Sequence, residues 1–293
     1  MTAIKEKAYA KLNLFLDVLS KRQDGFHDIR TVMHSVSLHD EVTVTVNNRD
    51  RRAVKLVLEG NRRLPTDARN LAFRAATLYM EKAAIDADIT IKLDKHIPIA
   101  AGLAGGSTDA AAVLRCMNRL FKKHFTEKKL LELASFLGSD VPYCLVGGTA
   151  LCEGRGEKVL RLNSKLHLYT VVAVDNEHVS TPLAYSSLDS LYSDFDGSVE
   201  NDSSYSYGML MSAISNGDLS GCELFNIFEK AVLPICPGAS SLRARLVELG
   251  ASHALMSGSG PSVFGIFDNI EAAAMAEKTL REEGKRAYLA ETV

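Results

Sequence analysis

The sequence predicts an α+β protein of two domains. Strand-like and helix-like stretches are grouped in each half without strict alternation, which disfavours a doubly wound sheet. The 293 residues exceed what one ordinary core needs. Each half also carries one glycine-rich loop, around Gly102-Gly106 and Gly258-Gly260.

The elements follow in order. Leu12, Leu14, Leu16 and Val18 alternate with Asn13, Phe15 and Asp17, the period of a strand. Asp24-Gly25 marks a turn before a second strand near Ile29 to Val36. Val42, Val44 and Val46 alternate with Thr43, Thr45 and Asn47, and Val54 to Leu58 repeats the theme. A helix is expected from Asn70 to Ala84 and a strand from Ile89 to Leu93. Further helices are expected from Ser107 to Leu120 and from Thr126 to Leu137, the latter capped by Thr126 and stopped by Gly138. A short strand, Thr149 to Glu153, reads as a hairpin that closes a first domain, 1–157.

In the second domain, 158–293, Leu168 to Val174 reads as an apolar strand and Tyr185 to Tyr207 as a mobile or partly helical excursion rich in Ser, Asp and Tyr. Helices are expected near Leu224 to Val232, Ser240 to Leu249 and Ile270 to Glu283. Ala254 to Met256, Val263 to Phe267 and Ala287 to Ala290 complete the strands.

Bulk properties exclude several function classes. A net charge of −2 gives no electrostatic case for nucleic acid or an anionic membrane. Five cysteines, odd in number and without a C-x-x-C pair, argue against disulfides or a zinc site and fit a reducing cytoplasm. The start carries Lys5, Glu6 and Lys7 rather than a signal peptide, and no run nears the ~20 apolar residues of a membrane span. The expectation is a cytoplasmic protein acting on small molecules, with no protein partner and no protein-held metal.

The most informative stretch is Pro98-Ile99-Ala100-Ala101-Gly102-Leu103-Ala104-Gly105-Gly106-Ser107-Thr108, followed by the helix-forming run Ala110-Ala111-Ala112-Val113-Leu114. A small-residue loop opening a helix aims backbone N–H groups at one spot, and the helix dipole adds partial positive charge there. That suits phosphate. The Walker A pattern is absent, because Ser107 rather than lysine follows Gly106, and the glycine spacing is not that of a dinucleotide fingerprint. A plain capped turn is the alternative, although such a turn needs one or two glycines only.

Ser257-Gly258-Ser259-Gly260-Pro261-Ser262 is a second loop of this kind, open to reading as a Gly-Pro hairpin or as a ligand loop. Asp140, just past Gly138, is either the N-cap of a short helix or a carboxylate for an attacking alcohol. Lys11 and Asn13 share one face of the first strand, which either lines a cavity or faces solvent.

Together these segments resemble the GHMP kinase superfamily. The carriers are Ala10-Lys11-Leu12-Asn13-Leu14-Phe15-Leu16, Arg22-Gln23-Asp24-Gly25-Phe26-His27, the Pro98 loop, Ser139-Asp140-Val141-Pro142 and the late Gly-Ser-Gly loop. The resemblance spans nearly the whole chain and is weakest from Tyr185 to Asp218. It implies the two-domain GHMP kinase fold, with a first domain like ribosomal protein S5 domain 2, a ferredoxin-like second domain and an active site in the cleft between them. The Lys-Leu-Asn strand followed by Asp-Gly-aromatic-His is similar to the branch that phosphorylates a cytidine diphosphate methylerythritol.

By that resemblance Lys11 and Asp140 are the catalytic pair. Pro98 to Thr108 hold the phosphates of ATP, which brings Mg²⁺ with it, and Asn70, Leu71 and Lys95 lie toward the adenosine. Asn13, Phe26, His27, Thr181 and Tyr185 contact the substrate, His27 and Phe26 near the cytosine, with Gly258, Ser259 and Gly260 gripping its phosphate-bearing part. Two departures stand out. Phe26 replaces a familiar Tyr, and the loop reads Gly-Leu-Ala-Gly-Gly-Ser-Thr-Asp where Gly-Leu-Gly-Gly-Gly-Ser-Ser-Asn is more usual. Ala104 thereby loses backbone freedom, and Asp109 adds a negative charge expected to face away from the phosphates. Another kinase of the superfamily and a silent nucleotide sensor are the competing expectations.

Overall fold

Thr2–Lys21 and His27–Asn48 form two long strands, β1 and β2, joined by a turn in which Gly25 takes φ +83°. The computed structural model describes residues 2–48, 51–60, 64–177, 179–192 and 200–293. The two strands expected near 29–36 and 42–47 are one continuous β2, because Ser37-Leu38-His39-Asp40 contains no glycine or proline to break the extended backbone. β1 is buried without interruption from Ala10 to Val18, so both of its faces are covered over that stretch.

Two compact units divide the chain, one made of Met1–Ala10, His39–Ile99 and Ala104–Gly147, the other of Lys11–Leu38, Ala100–Leu103 and Gly148–Val293. No single cut separates them, since β1, β2 and the glycine loop each contribute residues to both.

In the first unit β3 (Ala53–Glu59) runs parallel to β4 (Asp88–Asp94), and β4 pairs antiparallel with the Glu41 to Asn48 half of β2. Helices α1 (Leu71–Ala83), α2 (Gly105–Leu120), α3 (Glu127–Leu137) and α4 (Val141–Val146) complete it. Asn70 caps α1 by accepting from the Ala72 N–H, and Thr126 caps α3 through the Lys129 N–H, as its sequence position suggests. The residues Ala110 to Leu114 of α2 are wholly buried, which explains a run of alanines where neighbouring elements approach closely.

In the second unit β5 (Thr149–Gly154) pairs antiparallel with Ile29 to His34 of β2 and forms the expected hairpin with β6 (Lys158–Arg161). A separate antiparallel sheet contains β7 (Tyr169–Val174), β9 (His253–Met256), β10 (Val263–Phe267) and β11 (Arg286–Glu291), in the order β11-β7-β10-β9. The helix expected over Leu224 to Val232 is shorter: Phe225–Asn226 is β8, parallel to β1 at Phe15 and Leu16, and only Phe228–Val232 is helical, as α7. The remaining helices are α5 (Thr181–Leu191), α6 (Glu200–Asn216), α8 (Pro237–Glu248) and α9 (Ile270–Glu282). The Tyr185 to Tyr207 stretch is thus helical through Leu191 and again from Glu200, and its residues 193–199 lie outside the described residues. No helix among the described residues is long and apolar enough to cross a membrane.

Candidate active site

The glycine loop leaves β4 and opens α2 by alternating handedness. Ala100, Gly102 and Ala104 take φ values of +53°, +74° and +58°, and Ala104 occupies the N-cap position of α2 without a side-chain hydrogen bond. The plain Ser/Thr-capped turn is therefore not what forms. The Thr108 hydroxyl instead donates to the Tyr9 carbonyl at 2.8 Å. Without a side-chain cap, the first N–H groups of α2 remain available to an anion.

In the first unit, α1 starts beside this helix start, where a Cβ on Gly106 would meet Leu71 Cδ1 at 3.8 Å. Asn70 is occupied by its own helix and by the Pro65 carbonyl, to which its amide donates at 2.9 Å. Lys95 is buried, with its ammonium between Asp40 and Asp109. Asp109 is itself buried in α2, directed into this charge cluster. Asp140 occupies the N-cap position of α4, yet its side chain makes no capping hydrogen bond. The carboxylate is half-buried and not committed to the helix, unlike Asn70 or Thr126.

In the second unit, Lys11 is only 3 % exposed and Asn13 only 1 %, so their face of β1 is not a solvated one. Lys11 Nζ donates to Asn13 Oδ1 at 2.5 Å and to the Gly102 carbonyl at 2.6 Å. Asn13 Nδ2 donates to Thr31 Oγ1 at 2.8 Å, and Thr31 donates to the Phe15 carbonyl at 2.6 Å. The ammonium thus sits at the end of a buried hydrogen-bond chain. Asn13 spends both ends of its amide on it.

The two glycine-rich loops meet here. Ser257 Oγ donates to the Gly102 carbonyl at 3.2 Å, and Ser262 Oγ donates to the Ala101 carbonyl. A Cβ on Gly102 would strike the Ser257 carbonyl, and one on Gly258 would come to 3.0 Å from Lys11 Nζ. Gly260 has the same constraint, with φ +78° and Met256 Sδ beside it. Ser259 lies against Thr181, their hydroxyl oxygens 3.1 Å apart.

A third cluster surrounds His27. Its Nε2 donates to Asp189 Oδ1 at 2.7 Å, and its ring stacks on Tyr185 with centroids 4.7 Å apart. Tyr185 and Asp189 are four residues apart on α5, so one helix face contacts the imidazole at its plane and at its edge. Burial would raise the Asp189 pKa, but hydrogen bonds from Lys21 and His27 outweigh it and hold the carboxyl below its ordinary value. Phe26 is 51 % exposed and lies under Arg155, whose guanidinium carbon is 4.9 Å from the ring centroid.

Several residues escaped sequence reasoning. Asn226 Nδ2 donates to the Met256 and Gly258 carbonyls at 2.7 and 2.8 Å, fastening the second loop. Glu229 accepts the Met256 N–H at 2.8 Å, and burial raises its pKa. A lone amide inside the apolar stretch Leu224 to Phe228 was the available signal for Asn226. Thr31 and Asp189 carried none, because small polar residues and surface carboxylates are common, whereas Ser257 and Ser262 lie in the second loop that the sequence singled out.

Comparison with known proteins places the chain in a family, the GHMP kinases. The GHMP kinases N terminal domain family matches residues 70–148 and the GHMP kinases C terminal family matches residues 208–286. A 4-diphosphocytidyl-2-C-methyl-D-erythritol kinase of Caldicellulosiruptor bescii is 39 % identical over 291 residues, covering 99 % of this chain and 98 % of the relative. A crystal structure of a 4-(cytidine 5'-diphospho)-2C-methyl-D-erythritol kinase superposes with a TM-score of 0.80 at 33 % identity, covering 98 % of each chain. The homoserine kinase of Cytophaga hutchinsonii, with a TM-score of 0.77 at 23 % identity over 100 % of this chain and 95 % of its own, shares the fold.

Proposed function

From the chain's membership of the GHMP kinases, in the family of the 4-diphosphocytidyl-2-C-methyl-D-erythritol kinases, we propose that it phosphorylates the 2-hydroxyl of 4-diphosphocytidyl-2-C-methyl-D-erythritol with ATP, a step of isoprenoid precursor synthesis. The observation that carries the reading is the buried Lys11 ammonium, held by Asn13 and by the glycine loop's own Gly102 carbonyl. A buried lysine directed at a main-chain phosphate cradle serves phosphoryl transfer and has no evident use in packing.

In this reading residues 98–108 bind the triphosphate through main-chain N–H groups, with Leu71, Asn70 and the Lys95 region toward the adenosine. Gly258, Ser259, Gly260 and Thr181 hold the phosphate-bearing part of the acceptor, while His27, Tyr185 and Phe26 take the cytosine. The acceptor oxygen bonds to the γ-phosphorus as the bond to the β,γ-bridging oxygen breaks, leaving ADP. Asp140 orients the hydroxyl and accepts its proton, and Lys11 balances the negative charge that builds on the transferring group. Asn13 acts by holding Lys11.

Among the described residues no group of three His, Cys, Asp or Glu side chains could hold a metal ion. Mg²⁺ fits as the partner of the nucleotide phosphates, where it supplies charge neutralisation. In sequence terms 1–157 is the nucleotide-binding part and 158–293 the C-terminal part. The described cysteines are all free and buried, which accords with a reducing cytoplasm.

A coupled assay for ADP release across candidate alcohols tests the proposal. Turnover with the cytidine diphosphate methylerythritol and none with homoserine or mevalonate is the expected result. The reverse pattern would overturn it.

A further inference from the structure

The phosphate loop is fastened from beneath by charges that the transfer reaction does not use. Asp40, on β2 and wholly buried, accepts the N–H groups of His96 and Ile97 on Oδ1 at 2.6 and 2.8 Å. Those two residues lead into the loop. Its Oδ2 accepts from Lys95 Nζ, and the same ammonium donates to Asp109 Oδ2 at 2.6 Å. Lys95 Nζ also lies 3.4 Å from the carbonyl of Gly105, the first residue of α2. One buried cluster therefore holds both ends of the loop that opens the helix.

The cluster is one positive charge short, with two carboxylates sharing one ammonium. Asp109 Oδ1 is buried and has no hydrogen-bond partner among the described residues. Lys95 and Asp40 are the charged groups that bear on Asp109. The faces of α1, α3 and α4 buried alongside are apolar, with Tyr79, Tyr143 and Cys144 as their ionisable members. Tyr79 donates its hydroxyl to Asn118, toward the far end of α2. Burial, with Asp40 adding to it against the pull of Lys95, raises the Asp109 pKa to about 7.

An uncompensated buried charge is costly, and a proton relieves it. A polyphosphate arriving at the N-terminus of α2 adds negative charge to the same region, so anion and proton favour each other's binding. We propose that Asp40, Lys95 and Asp109 are positioning residues for the nucleotide, and that Asp109 takes up a proton from solvent when phosphate settles on the loop. The proposal rests on the reading of residues 98–108 as the ATP cradle. It adds an assigned role for Asp40 and Asp109, which touch no reacting atom, and a proton linkage to nucleotide binding.

The test is calorimetric binding of Mg²⁺-ADP to the full chain in two buffers of different ionisation enthalpy, for wild type and Asp109→Asn. Proton exchange by ADP itself is common to both proteins and cancels in the difference. Wild type is expected to take up a larger fraction of a proton near neutral pH. Its affinity should fall more steeply than the variant's as pH rises, by at most about tenfold per pH unit, the slope of one proton. Should the variant fold poorly, infrared difference spectra of wild type alone decide: a carboxylic-acid C=O band should grow on adding Mg²⁺-ADP. Equal proton uptake in both proteins, or no such band, overturns the linkage while leaving the kinase reading intact. Failure of Mg²⁺-ADP to bind at all overturns both.

Discussion

Lys11 Nζ lies 2.6 Å from the carbonyl oxygen of Gly102, which places the ammonium of the first unit-two strand segment against the middle of the glycine loop. A carbonyl is a poor final partner for a cation when a phosphate can reach it. The contact holds the side chain extended toward the loop, where the proposed phosphoryl transfer would develop charge.

Lys11→Met is expected to lower kcat by about 100-fold or more, since a charge felt in the transition state is removed. Asn13→Ala is expected to lower kcat with a smaller change in KM for the acceptor, because Asn13 holds Lys11 and spends its amide on Lys11 and Thr31. Steady-state kinetics separate this from direct substrate contact, which would raise the acceptor KM instead.

Asp140→Asn should reduce turnover by about 100- to 10,000-fold, the range of a lost proton acceptor. Because its side chain makes no capping bond to α4, folding stability should change little. Thermal melting and ADP titration report both; a large loss of stability would mark Asp140 as a helix cap.

Gly102→Ala should destabilise by about 2 kcal/mol or more, since strained backbone and a blocked Cβ combine. The added methyl would meet the Ser257 carbonyl and sit at φ +74°. Ala104→Gly should act in the opposite direction. An alanine in the left-handed region costs about 1–2 kcal/mol, and glycine's extra freedom when unfolded returns about half of that, for a net gain near 0.5–1 kcal/mol. Urea denaturation of both variants measures the pair.

Asp189→Ala should raise KM for the cytidine-bearing acceptor several-fold and leave KM for ATP unchanged. The carboxylate holds His27 Nε2 at 2.7 Å, while Tyr185 stacks on the same ring. A comparable rise in both constants would count against His27 as a cytosine residue.

His34 makes acid stability pH-dependent. Burial, and to a lesser extent the charge of His167, pushes its pKa down to about 4. Its ring nitrogens lie 2.8 and 2.9 Å from the hydroxyls of Thr149 and Thr292. The unfolded chain therefore binds the proton more readily, and stability is lost as pH falls from about 6.5, the unfolded value, toward 4. The loss amounts to a few kcal/mol, at about 1.4 kcal/mol for each pH unit between the unfolded and folded pKa values. Asp109 works in the opposite sense over the same range, because its folded pKa is raised. Denaturation midpoints of wild type and His34→Gln across this range should converge at acid pH and diverge above it.

Much of the fold was legible because its signals are local. Thr126 and Asn70 cap the helices that follow them through hydrogen bonds to N–H groups two or three residues on, and the alternating valines of 42–46 lie in a strand. The boundaries of β2 and α7 were not legible. A strand of 22 residues and a two-residue β8 depend on what pairs alongside, and Asn226 is drawn to carbonyls 30 and 32 positions away.

The glycine loop, Lys11, Asn13 and the Asp24-Gly25 turn announce themselves in the order of residues, since backbone freedom, charge and strand period belong to short stretches of chain. Which side chains and carbonyls Asn13 and Lys11 meet was decided by Thr31 and Gly102, 18 residues from Asn13 and 91 from Lys11. Asp40 and Asp109 became partners of Lys95 across separations of 55 and 14 residues. Hydrogen bonds and ion pairs act over a few ångströms, so packing alone determines which distant side chains come within their reach.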